Sequence, residues 1–144
     1  MLFQPLPAIQ RPLLEKFYKA HRSGMKPRAG AQMWVARDPD IVAALCLTPV
    51  GTGHWLTGMF VAPVRRGLGL AHALIEAALG GLEGEVWLFC EPDRLGLYRR
   101  SGFAQAWDLP QELADRLARY RQTKPLLALV RPAPRRSVGS AASG

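Results

Sequence analysis

Apolar and polar positions follow two periods along this chain, and the switches between them mark its elements. Residues 2–6 suit a short first strand. Over residues 8–22, Ile9, Leu13, Leu14, Phe17 and Tyr18 recur at helical spacing with Arg11, Glu15, Lys16 and Lys19 opposite. That spacing predicts an amphipathic helix packed on a core. A basic loop containing Gly and Pro runs from Ser23 to Gly30. Residues 33–37 and 41–48 predict two strands joined by Asp38-Pro39-Asp40, a hairpin turn signal. Gly51-Thr52-Gly53 makes the next turn, and residues 54–62 predict a third long strand. Gly58 lies inside it, and a strand glycine marks a bulge or a close backbone approach.

Residues 69–79 return to a helical period, with Leu70, Leu74, Ala77 and Ala78 on one face and Gly80-Gly81 as the stop. Residues 85–90 predict a fourth long strand, 93–100 a short helix and 103–107 a strand. Leu109-Pro110 starts a helix to about Tyr120, with Leu113 and Leu117 inward and Arg116, Arg119 and Arg121 outward. Residues 125–130 read as the last strand. From Pro132 to Gly144 the composition turns to Pro/Arg and then Ser/Ala/Gly, too little apolar surface to fold, so a disordered tail is expected. One domain over residues 1–131 remains, without internal repeats. Strands interrupted by helices, with hairpins between some strands, predict a mixed α/β sheet.

Composition narrows the class. At 144 residues, nearly half of them apolar, the chain can bury a real core. Every apolar run is interrupted before it reaches the length of a membrane span, and the start MLFQPLPAIQ lacks the form of a signal peptide. Cys46 and Cys90 both sit in apolar strand-like runs without a second ligand-type residue at metal spacing. They read as buried free thiols of a reducing cytoplasm, not as a metal site. The net charge of +8 comes from 15 Arg and 4 Lys against 11 acidic residues and asks for an anionic partner. Nucleic acid is not favoured, because no recognition-helix motif or aromatic-basic interleaving is present.

The candidate chemistry starts at Val61-Ala62-Pro63-Val64-Arg65-Arg66-Gly67-Leu68-Gly69-Leu70-Ala71. An apolar strand ends, a basic glycine-rich turn follows, and a helix begins. Such a turn leaves backbone N–H groups unpaired at the positive end of a helix, where they bind phosphate. Gly67 and Gly69 remove side chains that would hold a ligand off the backbone, and Arg65 and Arg66 add charge. The turn is neither a Walker A loop nor a Gly-x-Gly-x-x-Gly fingerprint. A second segment, Val86 to Phe103, runs from a strand through Glu91-Pro92-Asp93 to Leu97-Tyr98-Arg99-Arg100-Ser101-Gly102-Phe103.

Arg66-Gly67-Leu68-Gly69-Leu70-Ala71 resembles the Arg/Gln-x-x-Gly-x-Gly/Ala pyrophosphate loop of the GNAT N-acetyltransferase superfamily, and Leu97 to Phe103 resembles its "LYxKxGF" segment. The two occur in the family's order. The resemblance implies a mixed, mostly antiparallel central sheet flanked by helices and splayed where strand 54–62 parts from strand 85–90. It places the pantetheine arm of acetyl-CoA in that split, paired with backbone groups of Met59, Phe60 and Val61. The amides from Arg66 through Gly67, Leu68, Gly69, Leu70 and Ala71 to His72 would hold the pyrophosphate. The family's activity is acetyl transfer from acetyl-CoA to a primary amine without a metal, and its exposed strand edges leave room for a homodimer.

Acetyl transfer needs a neutral amine, a stabilised oxyanion and a proton for the leaving thiolate. Tyr98 matches the family tyrosine whose hydroxyl is implied as that acid. Glu91 stands where the family often has an asparagine. As a base candidate it is either a carboxylate facing the cofactor or acceptor, or a solvated turn residue, and the sequence leaves both open. His54 starts the other strand of the split and is a second base candidate, with water as the third, although it reads first as an exposed turn residue. His72 sits by the phosphates, where its backbone matters more than its ring, and Cys90 reads as structural. The acceptor, expected to be a small amine, falls to residues 22–30 and 107–124, with the helix at 110–120 as a candidate lid; both segments are basic, which reads first as an ordinary solvated face and otherwise as a hint of a carboxylate or phosphate beside the amine. Trp55, Trp87 or Trp107 would line that pocket or serve the core. A non-catalytic acyl-CoA-binding module and a protein N-terminal or lysine acetyltransferase are the alternatives.

Overall fold

The computed structural model describes residues 1–134. Its elements are β1 (Leu2–Leu6), α1 (Arg11–Ala20), β2 (Gln32–Arg37), β3 (Ile41–Val50), β4 (Gly53–Val61), α2 (Leu70–Leu79), β5 (Val86–Cys90), α3 (Leu95–Arg99), β6 (Ala104–Gln105), α4 (Gln111–Tyr120) and β7 (Leu127–Arg131). They build one seven-stranded sheet in the order β1-β2-β3-β4-β5-β7-β6. All pairings are antiparallel except β4 with β5. That parallel pair registers only at His54↔Val86 and Trp55↔Trp87, after which the strands diverge. The sheet is therefore mixed, mostly antiparallel and splayed in the middle, as expected.

The splay has a local cause. The register of β3 on β4 shifts by one between Ala44↔Phe60 and Cys46↔Thr57, so β4 carries an extra residue around Gly58. Gly58 takes φ +65°, and a Cβ there would lie 2.6 Å from the Tyr18 hydroxyl oxygen. That hydroxyl donates to the Gly58 carbonyl at 2.6 Å. Burial, with Cys46 beside it, raises the Tyr18 phenol above its ordinary range, so it stays a donor. A bulge bends its strand and sharpens the twist. Here it turns the second half of β4 away from β5.

Helices cover both faces. On one, Leu14, Phe17 and Tyr18 of α1 pack with Val35, Ala44 and Cys46, while Leu113 of α4 packs with Trp55 and Trp87. On the other, Leu74, Ile75 and Ala78 of α2 pack on Leu45, Leu47, Leu56 and Leu88. β3 is buried without a break from Val42 to Leu47, which explains its continuous apolar run.

Several expectations are revised. The predicted helix 8–22 begins as a 3-10 turn at Ala8–Gln10 and ends at Ala20. The predicted strand 103–107 shrinks to two residues, and Trp107 leaves the sheet, 86% exposed. His54 is no turn residue, since it lies within β4 in the zipped part of the split. Arg116, expected outward, is half-buried against Trp55. The expected tail at 132–144 falls, from residue 135 on, outside the described residues.

Candidate active site

The divergence of β4 and β5 opens a cleft of about 810 Å³. Among the described residues, both strand edges facing it lack a strand partner beyond Trp55 and Trp87. Backbone groups alternate sides along a strand. The Ala62 amide donates to the Val42 carbonyl across β3, so Val61 turns its own groups to the cleft and Phe60 turns its groups to β3. The Val61 carbonyl is already engaged by Arg66 Nε at 2.9 Å, and the Arg66 guanidinium lies 5.1 Å over the Phe60 ring. Met59, Phe60 and Val61 all line the cleft.

At its open end stands the glycine turn. Gly67 and Gly69 take φ +81° and +75°, and a Cβ at either would meet no atom within 4 Å. The backbone conformation requires glycine, while the space before it is empty. Gly69 caps α2 without a side-chain hydrogen bond, which leaves the first-turn amides of Leu70, Ala71 and His72 unclaimed among the described residues, at the positive end of a ten-residue helix. Anion binding is what such a terminus does. Arg65 is held beside the turn by Asp38 at 3.0 Å, and the guanidinium keeps that carboxyl below its usual range. Leu68 points elsewhere: it is 75% exposed and does not line the cleft.

Tyr98 is fixed by the end of its own helix. The Phe103 amide donates to the Tyr98 carbonyl at 3.2 Å, and the Gly102 amide to the Arg99 carbonyl at 3.1 Å. Gly102 takes φ +85°. This is a Schellman ending, and the apolar contact that accompanies it is Phe103 against the Tyr98 ring, centroids 5.9 Å apart. The Ser-Gly-Phe of the sequence is thus the device that orients Tyr98. The phenol is 7% exposed, and burial, with the Cys90 thiol next to it, pushes its pKa up to about 12. It stays protonated at neutral pH and remains a proton donor. Burial likewise pushes Cys90 up to about 11, so its sulfur is a thiol and not a thiolate nucleophile.

The structure brings Tyr98, Glu91 and His72 to the same cleft. Glu91 is an exposed residue at the end of β5, opening the turn at Pro92–Arg94. The His72 ring meets the buried Ser101 hydroxyl, Nδ1 to Oγ 2.9 Å, which ties the first turn of α2 to the end of α3. His54 does not line the cleft, nor do Trp55, Trp87 and Trp107. Sequence reasoning passed over Phe89, Arg94, Leu97 and Arg100 as lining residues. Phe89 was findable, since strand alternation puts it on the same side of β5 as Glu91. From the segments assigned to an acceptor, Ser23, Met25, Tyr120, Thr123 and Lys124 do line it.

Residues 29–105 match the acetyltransferase (GNAT) domain family, more than half of the chain, and the chain belongs to that family. Its fold is shared with a Mycobacterium tuberculosis protein solved in complex with CoA, at TM-score 0.66 and 14% identity over 93% of this chain and 100% of that one. N-acetylglutamate synthase from Neisseria gonorrhoeae, complexed with coenzyme A and N-acetyl-glutamate, also gives 0.66, at 12% identity over 94% of this chain and 36% of that one. A GNAT-family protein from Bacteroides thetaiotaomicron gives 0.64 at 14% identity over 94% and 89%. No curated protein matches the chain by sequence. No helix among the described residues is long and apolar enough to cross a membrane.

Proposed function

We propose that this protein is an acetyl-CoA-dependent N-acetyltransferase that moves the acetyl group directly to the primary amine of a small molecule. The observation that carries the reading is the join of three parts in one cleft: two open strand edges, a glycine turn at a helix N-terminus, and a buried neutral tyrosine. The uncapped amides of α2, with Arg65 and Arg66, hold the pyrophosphate. The cleft-facing backbone groups of Met59 and the Val61 amide meet the pantetheine arm as an added strand would, while the Val61 carbonyl stays with Arg66. Tyr98 gives its hydroxyl proton to the leaving sulfur, which a phenol kept neutral by burial can do across the neutral range. Glu91 is the base candidate on this chain, acting on the amine directly or through water. The two relatives solved with CoA support the choice of an acyl-CoA donor.

The test is acetyl-CoA consumption with thiol release, run against a broad panel of amines and peptides beside calorimetry of CoA binding. Turnover on small amines is the expected result. Turnover on peptides alone would move the acceptor to protein N-termini or lysines. Tight CoA binding with no thiol release from any acceptor would favour a non-catalytic acyl-CoA-binding module.

A further inference from the structure

Trp55 lies where β4 and β5 are still zipped, six residues and so about 20 Å before the end of β4. Two arginines from distant segments meet its ring. Arg28, from the loop after α1, places its guanidinium carbon 4.9 Å from the ring centroid, and Arg116, from α4, places its own at 5.3 Å. No Asp or Glu among the described residues bridges either one. Among the described residues, the Nε of each is buried without a partner, and so are the indole nitrogen of Trp55 and the hydroxyls of Thr48 and Thr57. Thr48 stands directly opposite Trp55 in the β3–β4 register and Thr57 follows it by two, so all three share one face. Buried donors are rarely left unpaired, and here five unpaired polar atoms, two of them on half-buried arginines, gather at Trp55.

Neither arginine nor Trp55 lines the cleft itself, and the cluster adjoins it through two residues that do. Phe89, which lines it, packs on Trp55 with centroids 5.5 Å apart. Tyr120, which also lines it, meets Phe89 edge-on at 6.2 Å and accepts from Arg116 Nη1 at 3.4 Å. The position of Arg28 is built in. Arg11 of α1 donates to the carbonyls of Pro27 and Arg28, anchoring the loop that carries it.

We propose that Arg28 and Arg116 form an anion-binding subsite for the acceptor, so that the amine acetylated also carries a carboxylate or a phosphate. The cluster offers donors and positive charge with no carboxylate of its own, and planar guanidinium forks suit an oxyanion with several acceptor lone pairs. The subsite rests on the acetyltransferase reading of the cleft and narrows its substrate class.

The experiment titrates matched ligand pairs into the CoA-saturated protein by calorimetry: amino acids against their decarboxylated amines, and phosphoethanolamine against ethanolamine. The anionic member of at least one pair should bind tenfold or more tightly than its neutral counterpart, and the winning pair tells carboxylate from phosphate. Arg28→Met and Arg116→Met keep the aliphatic stem over Trp55. Each should cut that preference at least tenfold without changing CoA affinity or the melting temperature by more than a few degrees. Arg116→Lys, which keeps the charge and loses the fork, should recover part of it. No anionic preference in any pair, or a preference that survives both Met variants, overturns the subsite. Thiol release is followed in parallel. Arginine-dependent anion binding with no thiol release from any amine would sink the acetyltransferase reading and leave the subsite standing. Thiol release that prefers neutral amines would do the reverse.

Discussion

The two ends of the cleft are made of different material. The end at Arg65–His72 is backbone: two glycines in left-handed conformation and a helix N-terminus without a side-chain cap, all within eight consecutive residues. The end around Phe89 and Tyr120 is side chains brought by β4, β5, α4 and the loop after α1. A site for a fixed polyphosphate can be written as one short stretch, because amides and glycines are required at set spacing. A site for a variable acceptor has no such constraint. Its identity lies in which side chains the fold stacks together.

Substitutions can separate the two ends or strike both. Gly58→Val should do the most damage, since it fills the bulge that opens the whole cleft. A left-handed backbone and a Cβ 2.6 Å from the Tyr18 oxygen should cost about 2–4 kcal/mol, read by urea unfolding. Full stability in that variant would mean the bulge is not what holds the strands apart. Tyr98→Phe should divide chemistry from binding at both ends: turnover falls at least tenfold while the fold and CoA affinity are kept. Unchanged turnover would remove Tyr98 from the acid role.

The same phenol predicts a pH dependence. Its pKa is about 12 folded against about 10 unfolded, so below pH 10 both states hold the proton. Between pH 10 and 12 only the folded state does, and stability should fall by on the order of 2 kcal/mol as pH rises. Urea midpoints across that window in the wild type and in Tyr98→Phe check this, with a flatter fall in the variant.

Gly69→Ala addresses the backbone end alone. The new Cβ meets no atom, so only the left-handed strain of about 1–2 kcal/mol acts. Acetyl-CoA should bind several-fold to tenfold more weakly with the acceptor KM within twofold. An equal loss in both would show that the two ends are not independent. The smallest effect is expected from Cys90→Ala. A thiol raised to about 11 has no nucleophile to lose, and turnover should stay within about threefold. Abolished turnover with intact CoA binding would reopen a covalent route.

The backbone end of the cleft was readable in advance because its physics is local. Arg66 to Ala71 spells a turn that only glycine can make, and Gly102-Phe103 spells a helix ending that clamps the residue four or five positions earlier. Gly58 announced a bulge for the same reason. The limit lies with side chains: Leu68, expected for its amide alone, turns its side chain to solvent. Arg116 shows it more sharply. Helical periodicity put it on the outer face of α4, and it instead lies over a tryptophan from another strand.

By itself, then, the amino-acid order determined most of the elements, the glycine turn and the ending of the Tyr98 helix, because each follows from dihedral limits and hydrogen bonding among near neighbours in the chain, while the splayed sheet was legible only through the resemblance to a known family. Only the tertiary structure decided that Arg28 and Arg116 converge on Trp55, that His72 ties to Ser101, and that His54 stays outside the cleft. Those contacts join residues dozens of positions apart, and they arise from how the layers pack, which no local period records.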